Sequence, residues 1–247
     1  MKLQTKILIS LGASLLLTGL LVASIFGARV SSTMIEDSKA NLYGQLKVMS
    51  ELMDAYRSQT ERLAIDHFTI LNQMLAGEWL VSADQTIATG GKDFPAIRLN
   101  GKPLNNDFTL PDRFTHSLNS VSTIFVRTQD DFARVSTSLK NDQGQRAIGT
   151  LLDRTHPAYQ ALLSGSPYVG RARLFGRDYM TRYEPLRNTQ GAVIGALFIG
   201  VDFTQSFASL KESVKKMRIG EEGYFFAVDV SPGKTRGTAV IHPNLEG

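Results

Sequence analysis

The chain has 247 residues, 20% of them charged, and a formal net charge of +4. The basic excess is too small and too dispersed for a nucleic-acid surface. The absence of cysteine excludes disulfides, thiolate metal sites and cysteine nucleophiles, and His67, His116, His156 and His242 have no zinc-type spacing, so neither metal nor cofactor is expected.

Residues 1–6 carry Lys2 and Lys6, and residues 7–28, "ILISLGASLLLTGLLVASIFGA", contain no charge. About 20 apolar residues cross a bilayer as a helix. The positive-inside rule then puts residues 1–6 in the cytoplasm and everything after residue 29 outside. The competing reading is a cleaved signal peptide with "VAS" at 22–24 as its cleavage site.

From 30 to 76 the chain has no proline, and Leu42, Leu46, Met49, Met53, Tyr56, Thr60, Leu63, His67, Ile70 and Met74 follow in steps of three and four. That spacing predicts a long membrane-proximal helix with a heptad seam. At 1.5 Å per residue it is roughly 70 Å long, more than one small domain buries, so a parallel homodimer along the seam is expected. The alternative is that the seam covers only its own sheet.

From 77 to 203 the pattern is short strands with turns. "EWLVSADQTIATGG" and "PAIRLNGKPLN" come first, then "VSTIFVRT", "FARVSTSL" and "QRAIGTLL". "HPAYQALLSG" reads as a short helix capped by Thr155, with Pro157 early in it. "YVGRARLF", "YMTRYEPLR" and "AVIGALFIGVDF" form a second meander, with "GRD" (176–178) and "NTQG" as turns. From 204 to 247 come an amphipathic helix, "TQSFASLKESVKKMRI", capped by Thr204, and a strand pair, "GYFFAVDV" and "TAVIHP", around the loop "SPGKTRG". A lone hairpin is not stable, so this pair either adds to the first sheet or begins a second module that continues beyond Gly247. The class is α+β.

The stretches "TIFVRTQDDFARVSTSLKNDQGQRAIGTLLD", "HPAYQALLSGSPYVGRARLFGRDYMTRYEPLRNTQGAVIGALFIGVDF" and "GEEGYFFAVDVSPGKTRGTAVIHPNLEG" resemble the Cache 3/Cache 2 fusion sensor region of bacterial methyl-accepting chemotaxis proteins. The resemblance covers about residues 30–247. It implies a transmembrane helix continuing into a long helix packed on a PAS-like antiparallel sheet, followed by a second Cache-like module. It implies a bacterial inner-membrane receptor whose outer part binds a small molecule. Signalling would pass through a cytoplasmic chemotaxis kinase and coupling protein, contacted by a region absent from this chain. Sensor histidine kinases, diguanylate cyclases and an exported binding protein without a signalling role are the alternative contexts.

Side-chain alternation along the strands suggests where a ligand sits. Phe132, Arg134 and Ser136 alternate on one strand, Arg171 and Arg173 on another, and Tyr179, Thr181 and Tyr183 on a third. Guanidinium and hydroxyl groups suit a small carboxylate, so Arg134, Ser136, Arg173, Tyr179 and Tyr183 are the expected ligand contacts. Arg127 and Asp131 are expected to pair locally, Asp178 to serve the "GRD" turn, Asp202 to cap a helix or contact a ligand amine, and His242 to be structural. No G-x-S-x-G, Walker, H-E-x-x-H or dinucleotide fingerprint occurs, and no catalysis is expected.

Overall fold

The computed structural model describes residues 3–220, 222–230 and 236–245. The chain divides into two compact units, Met1–Ala55 and Tyr56–Gly247.

A single α-helix, α1, runs Leu3–Met74. In the first unit it carries a window of mean hydropathy 1.7, long and apolar enough to cross a membrane by length and composition. Its apolar side chains from Leu15 to Phe26 are exposed. Beyond them polar pairs one turn apart, Lys39–Glu36 and Gln45–Asn41, decorate the helix.

In the second unit, α1 enters a core at Ala64, Phe68, Leu71 and Leu75. This stripe keeps heptad spacing but lies one residue on from the expected seam. Of the seam residues, Leu63 is 40% and Ile70 39% exposed. The seam therefore covers the core only in part: Tyr56 and Met74 pack against it and His67 bonds the Ser120 hydroxyl at 2.8 Å, while the stripe one residue on is buried.

Strands β1 (Trp79–Thr89), β2 (Lys92–Leu99) and β3 (Lys102–Pro103) form a small antiparallel sheet. Helix α2 (Thr109–Leu118) follows, an element not expected from the sequence. Asp107 accepts a bond from the Thr109 N–H at its start, and Asn119 closes it in the left-handed region.

The main sheet has five antiparallel strands: β4 (Ser120–Thr128), β5 (Asp131–Thr137), β6 (Tyr168–Leu174), β7 (Arg177–Arg187) and β8 (Val193–Asp202). Their order is β5-β4-β8-β7-β6. One face packs on α1 and α2 through Ile124, Val126, Met180, Leu197 and Ile199. The other face lies under α3 (Pro157–Leu163) and the chain before it, through Phe125, Phe132, Tyr159, Leu162, Tyr183 and Phe198.

Several local expectations are corrected. "QRAIGTLL" is not a regular strand. Left-handed Gly149 breaks its course, and it instead bonds the β5 edge irregularly, through Arg134 N–H to Thr150 O and Leu152 N–H to Phe132 O. The β6–β7 turn is the two-residue pair Phe175–Gly176, both at positive φ, so Arg177 and Asp178 already belong to β7. The Asp178 backbone binds the Thr204 hydroxyl and the Phe203 N–H. Asp131 pairs with Arg154 through two bonds of 2.8 and 2.9 Å, not with Arg127, which turns to the Gln129 carbonyl. His156, not Thr155, caps α3, because Thr155 bonds the Asp153 side chain.

Helix α4 (Thr204–Lys216) is not capped by its Thr204 side chain. Asp202 accepts from the Thr204 N–H instead. After α4 come two short pairs, β9 (Arg218–Ile219) with β10 (Gly223–Tyr224) and β11 (Ala227–Val228) with β12 (Ala239–Ile241). The first five residues of the "SPGKTRG" loop, 231–235, lie outside the described residues.

Candidate ligand site on the outer face of the sheet

Residues directly opposite in an antiparallel ladder share a face. Cross-strand partners therefore define two rows on the face away from α1. One runs Thr137–Thr123–Phe198–Tyr183–Tyr168; the next runs Arg134–Phe125–Ala196–Pro185. Tyr179 belongs to the same face two residues before Thr181.

Three of the five expected contacts, Arg134, Tyr179 and Tyr183, thus share this face. Two do not. A β-bulge between the Ile124 and Phe125 pairings places Arg134 opposite Phe125 but Ser136 opposite Ile124. Ser136 faces the α1 side, and its hydroxyl donates to the Asp107 carbonyl at 2.5 Å. Arg173 pairs with Asp178 while its neighbour Ala172 pairs with Tyr179, so Arg173 also lies on the α1 side, exposed.

Arg134 is only 5% exposed. Its Nη1 donates to Thr150 Oγ1 and to the Ala147 carbonyl at 3.5 Å. Its guanidinium lies 4.9 Å from the centre of the Phe125 ring. Its Nε is buried without a partner, and among the described residues no carboxylate pairs with it. Burial pulls its pKa down to about 10, with the Tyr183 hydroxyl opposing. The guanidinium is still charged at neutral pH.

Tyr183 stands beside it, its ring 6.4 Å from Phe125 and 4.8 Å from Phe198. Burial pushes the Tyr183 hydroxyl pKa up, the Arg134 charge pulling the other way. Tyr179 and Tyr168 are pushed up for the same first reason, Tyr179 further by Asp202. The phenols are therefore protonated donors at neutral pH.

On the far side of Tyr183, His156 packs 5.5 Å away and contacts Tyr168 edge-on at 5.4 Å. Its Nδ1 accepts the Ala158 N–H at 3.1 Å, and its Nε2 is buried without a partner. Burial lowers its pKa, with Asp153 opposing. Thr123 and Thr137 bond each other at 2.7 Å in the same row. The acidic groups around this face are engaged: Asp131 with Arg154, Asp202 with Arg177 and the Thr204 N–H. The site is a packed aromatic floor carrying an unmatched cation and several donors. Such a set has the chemistry to suit an anion.

Sequence reading missed His156 and the aromatic floor of Phe125, Phe198 and Tyr168. The His-Pro pair before a helical pattern was a usable signal for the cap, since a side-chain acceptor followed by Pro at the first helical position is a helix start.

Comparison with known proteins now identifies the class. Residues 28–247 match the Cache 3/Cache 2 fusion domain. The chain belongs to that family. Solved structures with similarity include the E. coli DcuS sensor domain, 17% identical over 41% of this chain and 69% of that one, with a TM-score of 0.30. The ligand-binding domain of the Campylobacter jejuni chemoreceptor Tlp3 matches in its complex with 4-methylisoleucine (17% identity, 74% of this chain, 64% of that one, TM-score 0.40). It also matches in its complex with L-valine (18%, 70% and 61%, TM-score 0.35). The chain thus spans less than two thirds of those two Tlp3 chains. A comparison with curated proteins found no match.

Proposed function

We propose that this chain is the sensing part of a membrane chemoreceptor and that it binds a small organic acid whose carboxylate is held by Arg134. Residues 7–28 anchor it in the bacterial inner membrane, with the chain after residue 29 outside. Two copies pair along the exposed seam of α1. The signal passes to a cytoplasmic chemotaxis kinase and coupling protein through a part of the receptor beyond this chain.

One observation carries this reading: Arg134 is 5% exposed and has no acidic partner among the described residues. A buried charge costs several kcal/mol unless it is paired. A carboxylate supplies the missing charge and can bond the guanidinium at two points. The floor is filled in the absence of ligand. A Cβ at Gly200 would already meet Val121, Phe198 and Tyr179 at 3.0–3.1 Å. Binding therefore displaces rings or the α3 cover. The same strands hold α1 on their other face through Phe68 and Leu71. A ligand that prefers one arrangement of the sheet shifts the helix with it.

The test is thermal unfolding of the full chain in detergent with carboxylates, amino acids and amines. A bound acid at a hundredfold excess over its Kd stabilises by about 2.7 kcal/mol. Stabilisation by a carboxylate that vanishes in Arg134→Ala is expected. Stabilisation only by apolar or cationic compounds, or a carboxylate shift that survives Arg134→Ala, overturns the reading.

A further inference from the structure

Tyr56 belongs to the heptad seam by its spacing, yet it turns to its own chain. It is the first residue of the second compact unit, about two helical turns before Ala64, where the buried stripe of α1 begins. Its partners stand at the start of α4. Phe203, Ser206 and Phe207 follow at helical spacings of three and four and so share one face. The Tyr56 ring meets Phe203 edge-on and stacks on Phe207 at 27° between planes, the centres 6.3 Å apart in each case. Arg171 of β6 lies over both phenyl rings, 5.4 and 5.0 Å from their centres.

A relay of two hydroxyls gives this contact a direction. Ser206 Oγ donates its single hydrogen to the Phe203 carbonyl at 3.0 Å. At 2.7 Å it therefore accepts from the Tyr56 hydroxyl. The stripe of Ala64, Phe68, Leu71 and Leu75 is apolar, and apolar contact is non-directional. The relay tolerates much less: a shift of about 1.5 Å along the bond, one residue's rise in a helix, takes it past hydrogen-bond length. The stripe holds α1 on the sheet, and Tyr56 fixes where α1 stands against α4. Helix α4 is the connection from β8 to the strand pairs that follow, and it lies against β12.

We propose that Tyr56 is a latch that makes α4 follow the position of α1, and that α4 passes the displacement to the β11–β12 pair. The latch does not depend on what the outer face of the sheet binds. A phenol is the side chain it requires, since the ring stacks on Phe207 while the hydroxyl completes the relay. Ser206 is exposed, so water competes for both hydroxyls and the closed and open states differ by little. A small difference is what lets a modest push on α1 change which state prevails.

Hydrogen exchange of the full chain in detergent tests this, with Tyr56→Phe, Ser206→Ala and the two combined. Tyr56→Phe keeps the stacked ring and deletes only the hydroxyl. Amides of residues 208–216 in α4 are expected to exchange roughly fivefold faster, the equilibrium factor of one net hydrogen bond. Those of the β11–β12 pair accelerate with them, while those of β7 and β8 keep their native rates. The combined variant exchanges no faster than Ser206→Ala alone, because both substitutions open one relay. Native α4 rates in Tyr56→Phe overturn the latch. Equal acceleration in α4, β7 and β8 overturns it too, since Tyr56 then only adds to global stability. Additive effects of the two substitutions count the same way, because the hydroxyls then act separately. Faster exchange in α4 with native rates in β11–β12 overturns the onward step.

Discussion

Arg182 and Arg134 are packed on opposite faces of the five-stranded sheet, and the two differ in what neutralises them. Arg182 faces α1. Its side chain is 21% exposed, it bonds Glu184 on its own strand at 2.8 Å, and it lies over the Phe68 ring at 5.2 Å. Arg134 faces away from α1, over Phe125, with no acid beside it among the described residues. Both leave Nε unmatched, so hydrogen-bond counting does not separate them; charge does. A helix can settle on a face whose charge is internally cancelled. A face that keeps an uncancelled charge stores energy that an incoming anion releases. In the proposed reading the helix side is a structural joint and the other side the receptor.

Breaking the joint has the largest effect. Phe68 is 5% exposed, in the core and under Arg182. Phe68→Ala is expected to cost about 3–5 kcal/mol, read as a fall in the urea midpoint. A loss below about 1 kcal/mol would show that α1 is not integral to the core. Next, Arg134→Met removes the uncancelled charge and keeps the bulk. Replacing buried ions by apolar groups is neutral or stabilising by about 1–4 kcal/mol. Arg134→Met is therefore expected to raise the melting temperature and abolish the carboxylate response. A fall instead would mean that its bonds to Thr150 and Ala147 outweigh the charge cost. Arg182→Met has the opposite sign. It strands Glu184, but that pair is partly solvated, so the loss is about 1 kcal/mol. Equal signs for the two substitutions would erase the contrast between the faces.

Much of this architecture is legible along single strands and little of it between them. Alternation within β7 correctly put Tyr179, Thr181 and Tyr183 together. Relating β6 to β7 required the turn. A three-residue turn at 176–178 would pair Phe175 with Tyr179 and bring Arg173 to its face. The two-residue turn pairs Ala172 with Tyr179 and sends Arg173 to the other side. Ser136 was misplaced because the extra residue in β5 exists only relative to β4; nothing within "FARVST" announces it. On α1, two adjacent stripes are both apolar, and Ala64 made the buried one the less conspicuous. Helix α2 escaped notice because its capping acid, Asp107, lies two residues before it and Pro111 breaks the usual pattern. The missing partner of Arg134 is a property of the fold that strand alternation could not supply.

The smallest effect separates the two faces by pH. His156 has its pKa lowered chiefly by burial, with Asp153 opposing, whereas Arg134 keeps its charge near neutrality. Above the ordinary histidine value of about 6.5, the ring is neutral folded and unfolded, and the contribution is fully present. As pH falls below 6.5, the unfolded chain takes up the proton first, so stability declines until the lowered folded value is passed, where the loss levels off. Protonation also removes the Nδ1 acceptor for the Ala158 N–H, a helix cap worth about 1 kcal/mol. The chain holds three other histidines, so the informative quantity is the difference between the native chain and His156→Asn. Melting temperatures taken between pH 7.5 and 5 should diverge below 6.5, the native chain losing more. Curves that stay parallel from pH 7.5 to 5 would show that the His156 cap contributes nothing to the pH dependence of the native chain.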